Sequence, residues 1–118
     1  KLFGNNYKTA DWTCIRDYVH VEDLCNAHLL ALKALFKDSK TKSYNVGTGK
    51  GYSNKEVVSM VKKISGVDFS VETHSPRPGD AVELVADAVK IKKELGWKPP
   101  FSMEQGLAET AKWFRDNP

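Results

Sequence analysis

Residues 13–24, TCIRDYVHVEDL, decide how the chain is read. Over 14–21, apolar and β-branched residues alternate with polar ones as in a strand, and Asp23 follows as a residue suited to capping a helix. Alternation sets Cys14, Arg16, Tyr18 and His20 on one side, and Ile15, Asp17, Val19 and Val21 on the other. One face is therefore polar, carrying Arg16, and one is mostly apolar, although Asp17 falls on it.

From this stretch outward the chain alternates strand and helix. Leu24, Ala27, Ala31 and Leu35 recur at helical spacing and predict a helix over 24–35. A polar turn, KDSKTKS, leads to a short apolar run, YNVG, read as a second strand. The glycine-rich turn Gly47-Thr48-Gly49-Lys50-Gly51 comes next, and Ser53 with Glu56 forms a capping box opening a helix over 54–65. Val57, Val61 and Ile64 form its apolar stripe, and Gly66 stands where a left-handed terminator belongs. The run VDFSVETH predicts a third strand, and SPRPGD is a stiff loop, because Pro76 and Pro78 fix φ while Gly79 permits a tight bend. Asp87 is placed to cap a helix over 88–95 ending at Gly96. Ser102 and Gln105 box the start of a last helix with Leu107, Ala111 and Phe114 on its buried side. The order is that of an α/β fold of short strands alternating with helices. Three short strands make a thin sheet, which suggests strands completing a larger one.

Composition narrows the class. The 118 residues are 41% hydrophobic and 28% charged, which fits one globular domain over 1–118 and argues against a disordered or fibrous chain. The net charge of +3 is spread along the chain without the dense basic stripe of a nucleic-acid binder. Lys33 and Lys37 interrupt the most apolar stretch, so no membrane span is expected. Cys14 and Cys25 lack paired zinc spacing and read as reduced thiols, fitting a cytoplasmic protein. The chain opens without Met and in apparent mid-element, which suggests an excised piece.

The motifs differ in what they say. GTGKGYS follows a strand and opens a helix, where backbone N–H groups can cradle phosphate, yet it matches neither the P-loop nor the dinucleotide fingerprint and reads as a tight structural turn. The three histidines form no metal or catalytic constellation. Arg16 lies within a strand, and Arg77 is held between two prolines in a loop that Asp80 can brace. Planar guanidinium groups on stiff backbone suit bidentate recognition of carboxylate or phosphate. They equally suit structural ion pairs with Asp17 or Asp80.

The segments FGNNYKTADWTCIRDYVHVEDLCNAHLLAL, YNVGTGKGYSNKEV and PRPGDAVELVADAVKIKKELGWKP resemble the carboxy-terminal part of the UDP-glucose 4-epimerase family, in the extended short-chain dehydrogenase/reductase superfamily. The resemblance runs nearly end to end. It implies the substrate-binding carboxy-terminal part of an extended Rossmann-type enzyme, without its NAD-binding part. It also implies that Leu2 and Phe3 pass along the uracil of a UDP-sugar, that Arg16 and Arg77 hold its diphosphate, and that Tyr18 and Asp80 shape the pocket. Leu84 stands where members of the family differ between tyrosine and a smaller residue that admits N-acetylated sugars. UDP-glucose and UDP-galactose, and their N-acetylated forms, are the implied ligands, with NAD as cofactor of the full-length enzyme. In that enzyme NAD takes hydride from C4 of the hexose and returns it to the other face, so binding energy belongs on the nucleotide, away from the reacting carbon.

The chain shows no match to the family's glycine-rich NAD turn or its Tyr-x-x-x-Lys pair. No catalytic, cofactor-binding or metal-binding residue is therefore assigned, and the piece alone is expected to be inactive. Trp12 stands where the family has glycine, a departure that puts the turn in question. Two further readings stay open: a free-standing binding or dimerisation module, with self-association through its open apolar faces, and part of a sister nucleotide-sugar dehydratase or decarboxylase.

Overall fold

The computed structural model describes residues 1–118, with elements β1 (Leu2–Phe3), β2 (Ile15–Arg16), α1 (Val21–Asp38), β3 (Tyr52–Ser53), α2 (Asn54–Ser65), β4 (Thr73–His74), β5 (Glu83–Leu84), α3 (Val89–Leu95) and α4 (Met103–Asp116). The strands form two small sheets. β1 pairs parallel with β4, while β2 lies between β3, antiparallel to it, and β5, parallel to it. The fold is thus mixed α/β, as the alternating pattern predicts, but its ladders are far shorter.

Three differences from the sequence reading have physical causes. Of the strand expected over 14–21, only Ile15–Arg16 is paired, because its partners β3 and β5 are each two residues long. The YNVG run forms no strand: Tyr44 and Val46 are spent packing on the core, and pairing resumes at Tyr52–Ser53, directly before α2. In VDFSVETH only Thr73–His74 meets a partner.

Capping chemistry sets the helix ends more faithfully. Ser53 with Glu56 and Ser102 with Gln105 form complete capping boxes, satisfying otherwise orphaned N–H groups at the starts of α2 and α4. Gly66 and Gly96 close α2 and α3 in left-handed conformations. α1 starts earlier than expected, with His20 as its N-cap residue, so Asp23 lies inside the first turn and is buried. Burial pushes the Asp23 carboxyl up, against the opposing effect of a Phe101 backbone N–H. Asp87 still accepts from Val89 N–H at 2.9 Å, although Ala88 is the N-cap residue of α3.

The core is small and centres on Trp97, which is fully buried with Ile91, Ala27 and Ala88. Its indole N–H donates to the Asp23 carbonyl at 2.9 Å, so this large side chain buries no unpaired donor. Phe114, expected inside, is exposed together with Leu29, Leu32, Leu35, Phe36 and Trp113. The accessible surface is 8426 Å², against about 6,400 Å² for a compact monomer of this mass. The extents of 49 × 36 × 20 Å describe a plate. Such a body leaves apolar helix faces that a larger fold would cover.

Asp17 joins the segments that the short ladders cannot. Its Oδ1 accepts from the Thr48 N–H at 2.9 Å and the Thr48 hydroxyl at 2.7 Å; its Oδ2 accepts from the N–H groups of Gly49 at 2.9 Å and Ala86 at 3.2 Å. Gly47 has to lack a side chain here, since a Cβ would lie 2.5 Å from Asp17 Oδ2 and 2.6 Å from Ala86 Cβ. Burial raises the Asp17 pKa, but the Thr48 hydroxyl and the three N–H donors outweigh it and hold the carboxyl below its ordinary value.

A carboxyl lowered on folding stabilises the protein above its unfolded pKa, and that stability is lost as pH falls through the folded value. Asp17→Ala should therefore cost roughly 3 kcal/mol at neutral pH, by stranding donors to a charged acceptor. The same variant should flatten the loss of stability seen below about pH 4, near the ordinary aspartate value. Urea denaturation at pH 7 and pH 3 tests both, and an equal loss at the two pH values would contradict the linkage. At Trp12, φ is 68° and the side chain is 59% exposed, so the residue bears backbone strain with little burial in return. Trp12→Gly should stabilise the fold by about 1 kcal/mol, measured in the same way.

Candidate functional site

The geometry around Arg16 starts from the parallel pairing of β1 with β4. Leu2 N–H donates to the Glu72 carbonyl at 2.7 Å and Gly4 N–H to that of His74 at 2.9 Å, which fixes the start of the chain beside the strand entering the proline loop. In that loop Asp80 N–H donates to the Arg77 carbonyl at 3.2 Å across Pro78-Gly79, with Gly79 at φ 81°. Proline at the second position and a left-handed glycine at the third are the requirements of a type II turn. The turn brings its two ends together, and Arg77 Nε donates to Asp80 Oδ2 at 3.1 Å. The guanidinium of Arg77 also lies over the Phe3 ring, 5.1 Å from its centroid.

Arg16 reaches the same carboxylate from the other side. β5 follows the turn and pairs with β2, setting Arg16 against Leu84. Arg16 Nη2 lies 3.6 Å from Asp80 Oδ1, and its Nη1 donates to the Ile15 carbonyl at 2.7 Å. Asp80 therefore stands between the two arginines. It holds both guanidinium groups near one place while neutralising only one of their two charges. Arg77 remains largely exposed, so its donors stay available to a ligand.

A cavity of about 330 Å³ opens there, lined by Leu2, Phe3, Arg16, Tyr18 and Arg77 together with Cys14 and Asn54. Five of the residues singled out from the sequence thus line one space, and Asp80 joins them through its ion pairs. Leu84 does not line it: the side chain is 58% exposed beside the ladder. Asp17, which the sequence offered as a partner for Arg16, is engaged with Thr48, Gly49 and Ala86 instead.

Sequence reasoning missed Asn54 and Tyr7. Asn54 is the first residue of α2, and nothing in its local pattern separates it from an ordinary helix start. Tyr7 is buried with its hydroxyl unpartnered, and its pKa is raised by burial and then by the Asp80 carboxylate. Its ring packs on Gly4, where a Cβ would lie 2.3 Å from Tyr7 Cε2.

The glycine-rich turn is closed to a dinucleotide phosphate. Its Thr48 and Gly49 N–H groups already donate to Asp17, and Gly51 is required by Ile15 and Val85, which a Cβ would meet at 2.5 and 2.9 Å. The chain contains no cluster of side chains able to hold a metal ion, and none of its helices is long and apolar enough to cross a membrane.

The fold of short strands and helices is shared with solved enzymes of sugar nucleotides. The profile of the family described as GDP-mannose 4,6 dehydratase matches residues 2–110, and the chain belongs to that family. The chain is similar to the UDP-glucose 4-epimerase of Lactobacillus helveticus, with 44% identity over 118 residues that cover 99% of this chain and 36% of that protein. The crystal structure of a UDP-glucose 4-epimerase superposes with a TM-score of 0.89 at 40% identity, covering 99% of this chain and 36% of the other. The enzyme of Stenotrophomonas maltophila, solved with bound NAD and formylated UDP-arabinopyranose, superposes with a TM-score of 0.88 at 36% identity over 98% of this chain and 34% of its own. The chain therefore spans about a third of the length of the relatives it matches.

Gly4→Ala tests how tightly the chain packs on Tyr7 directly after β1. With φ 82° at Gly4 and the Tyr7 ring in the way, the substitution should cost about 2 kcal/mol or more. Thermal denaturation measures the cost, and Tyr7 ring resonances displaced in the NMR spectrum would locate it.

Proposed function

We propose that this chain is the UDP-sugar-binding, carboxy-terminal part of a UDP-hexose 4-epimerase, which anchors the nucleotide diphosphate while a separate part of the enzyme carries NAD and the reacting groups. The observation that carries the reading is the convergence of Arg16 and Arg77 on Asp80 at a cavity bordered by Phe3. A nucleoside diphosphate supplies what that place lacks: anionic oxygens for two guanidinium groups and a flat base for an apolar strand edge.

The residues divide the work by their chemistry. Arg77, held by the type II turn and by Asp80, offers donors that lose little freedom on binding. Arg16 is fixed through Asp80 and the Ile15 carbonyl and meets the same anion from the sheet side. Leu2 and Phe3 form the strand edge along which the base lies. The NAD found with the Stenotrophomonas maltophila relative supplies hydride chemistry to such enzymes. The one glycine-rich turn of this chain does not fit it, so the cofactor belongs to the other part. Binding energy spent on the diphosphate leaves the hexose free to present either face, as epimerisation at C4 requires.

The open helix faces and the excess surface support placement within a larger body. The absence from this sequence of a Tyr-x-x-x-Lys pair and of a dinucleotide fingerprint fits the carboxy-terminal assignment.

Titration calorimetry with UDP-glucose should show weak binding by the chain. Arg16→Ala and Arg77→Ala should each weaken it by about 2 kcal/mol, and raising the salt concentration should weaken the wild type more than either variant. Equal affinity of the wild type and both variants would remove the diphosphate role.

A further inference from the structure

Asn54 touches both other polar groups on its side of the cavity. The Tyr18 hydroxyl donates to Asn54 Oδ1 at 2.7 Å. Asn54 Nδ2 lies 3.1 Å from Cys14 Sγ as donor, and Asn54 N–H donates to the Cys14 carbonyl at 3.1 Å. The Nδ2 contact turns the carboxamide so that its oxygen faces the phenol, and the backbone bond fixes the first turn of α2 against the residue preceding β2. Cys14, Tyr18 and Asn54 all line the same cavity as Arg16 and Arg77.

A phenol has one proton to give and lone pairs to receive with. Asn54 Oδ1 accepts the hydrogen bond that the Tyr18 hydroxyl can donate, so the Tyr18 oxygen is left to the cavity as an acceptor. An ionised phosphate is also an acceptor only, and cannot bind there without breaking the bond to Asn54. A sugar hydroxyl can. We propose that Asn54 is a positioning residue that sets the polarity of Tyr18, making it an acceptor subsite for a ligand hydroxyl beside the arginines that hold the diphosphate. This inference rests on the nucleotide-sugar reading above. It divides the cavity into an anion side, formed by Arg16 and Arg77, and a hydroxyl side, formed by Tyr18 through Asn54.

The test compares the wild-type chain with Asn54→Leu, Tyr18→Phe and the double variant, titrated with UDP and with UDP-glucose. Asn54→Leu and Tyr18→Phe should each weaken binding by about tenfold, and the double variant by no more than either alone, because Asn54 acts through Tyr18. Equal losses for UDP and UDP-glucose assign the hydroxyl to the ribose; a loss confined to UDP-glucose assigns it to the hexose. Without ligand, the ¹³C shift of Tyr18 Cζ should move in Asn54→Leu as its hydrogen bond is lost, whereas a purely structural role would lower the melting temperature with no non-additive loss of affinity. Unchanged or tighter binding by Asn54→Leu, or an unmoved Cζ shift, overturns the inference, since a Tyr18 that donates to phosphate gains from losing its competitor. If the wild type binds neither ligand, or binds both independently of Arg16 and Arg77, it is the nucleotide-sugar reading that fails.

Discussion

An ionised carboxylate inside a turn of backbone amides is the constraint on which the rest of this structure depends. None of the strands exceeds two residues, so main-chain pairing alone cannot fix how β2, the glycine-rich turn and the segment after β5 lie together. Asp17 fixes it by accepting from Thr48, Gly49 and Ala86. Charge-assisted bonds of this kind are about twice as strong as neutral ones, and here they are shared among three segments distant in sequence. The consequence reaches the cavity, because Arg16 is the preceding residue and points to the other face. What holds Asp17 also aims Arg16.

This division of labour explains a motif that looks like a phosphate loop without being one. Glycines after a strand and before a helix present free N–H groups, and the usual occupant is a phosphate. Here the occupant is a side chain of the same protein, and Gly47 and Gly51 are needed because Asp17, Ala86, Ile15 and Val85 come too close for a Cβ. Anion recognition by backbone is thus used for folding, while the proposed recognition of a ligand anion falls to arginine side chains elsewhere.

Most of the local chemistry was legible in the sequence, the caps expected at Asp23 and Asp87 excepted, since α1 starts from His20 and α3 from Ala88. Both capping boxes, the left-handed glycines at 66 and 96 and the stiff proline loop depend on neighbours within a few residues, and all are found where the pattern puts them. Strand lengths were not legible, since a strand ends where its partner ends and the partners are distant in sequence. Asp17 was placed on the right face but could not be explained, because its donors lie 31 to 69 residues away. Phe114 is exposed against expectation for a related reason: helical periodicity marks an apolar face without saying whether this chain covers it.

The candidate site shows the same boundary between what is near and what is far. Arg77 and Asp80 are three residues apart, and their ion pair could be read from the turn between them. Arg16 joins them only through the pairing of β2 with β5, and Asn54 meets Tyr18 only through the docking of α2 on the opposite side of β2. A two-residue strand is sufficient for this because it is central: one neighbour brings the turn of Arg77 and Asp80 and the other brings the helix start. The shortness of β2 is then a reason for the cavity's position, since Tyr18 and His20 lie beyond the ladder with no strand beside them, and side chains from α2 can approach where a longer sheet would have continued.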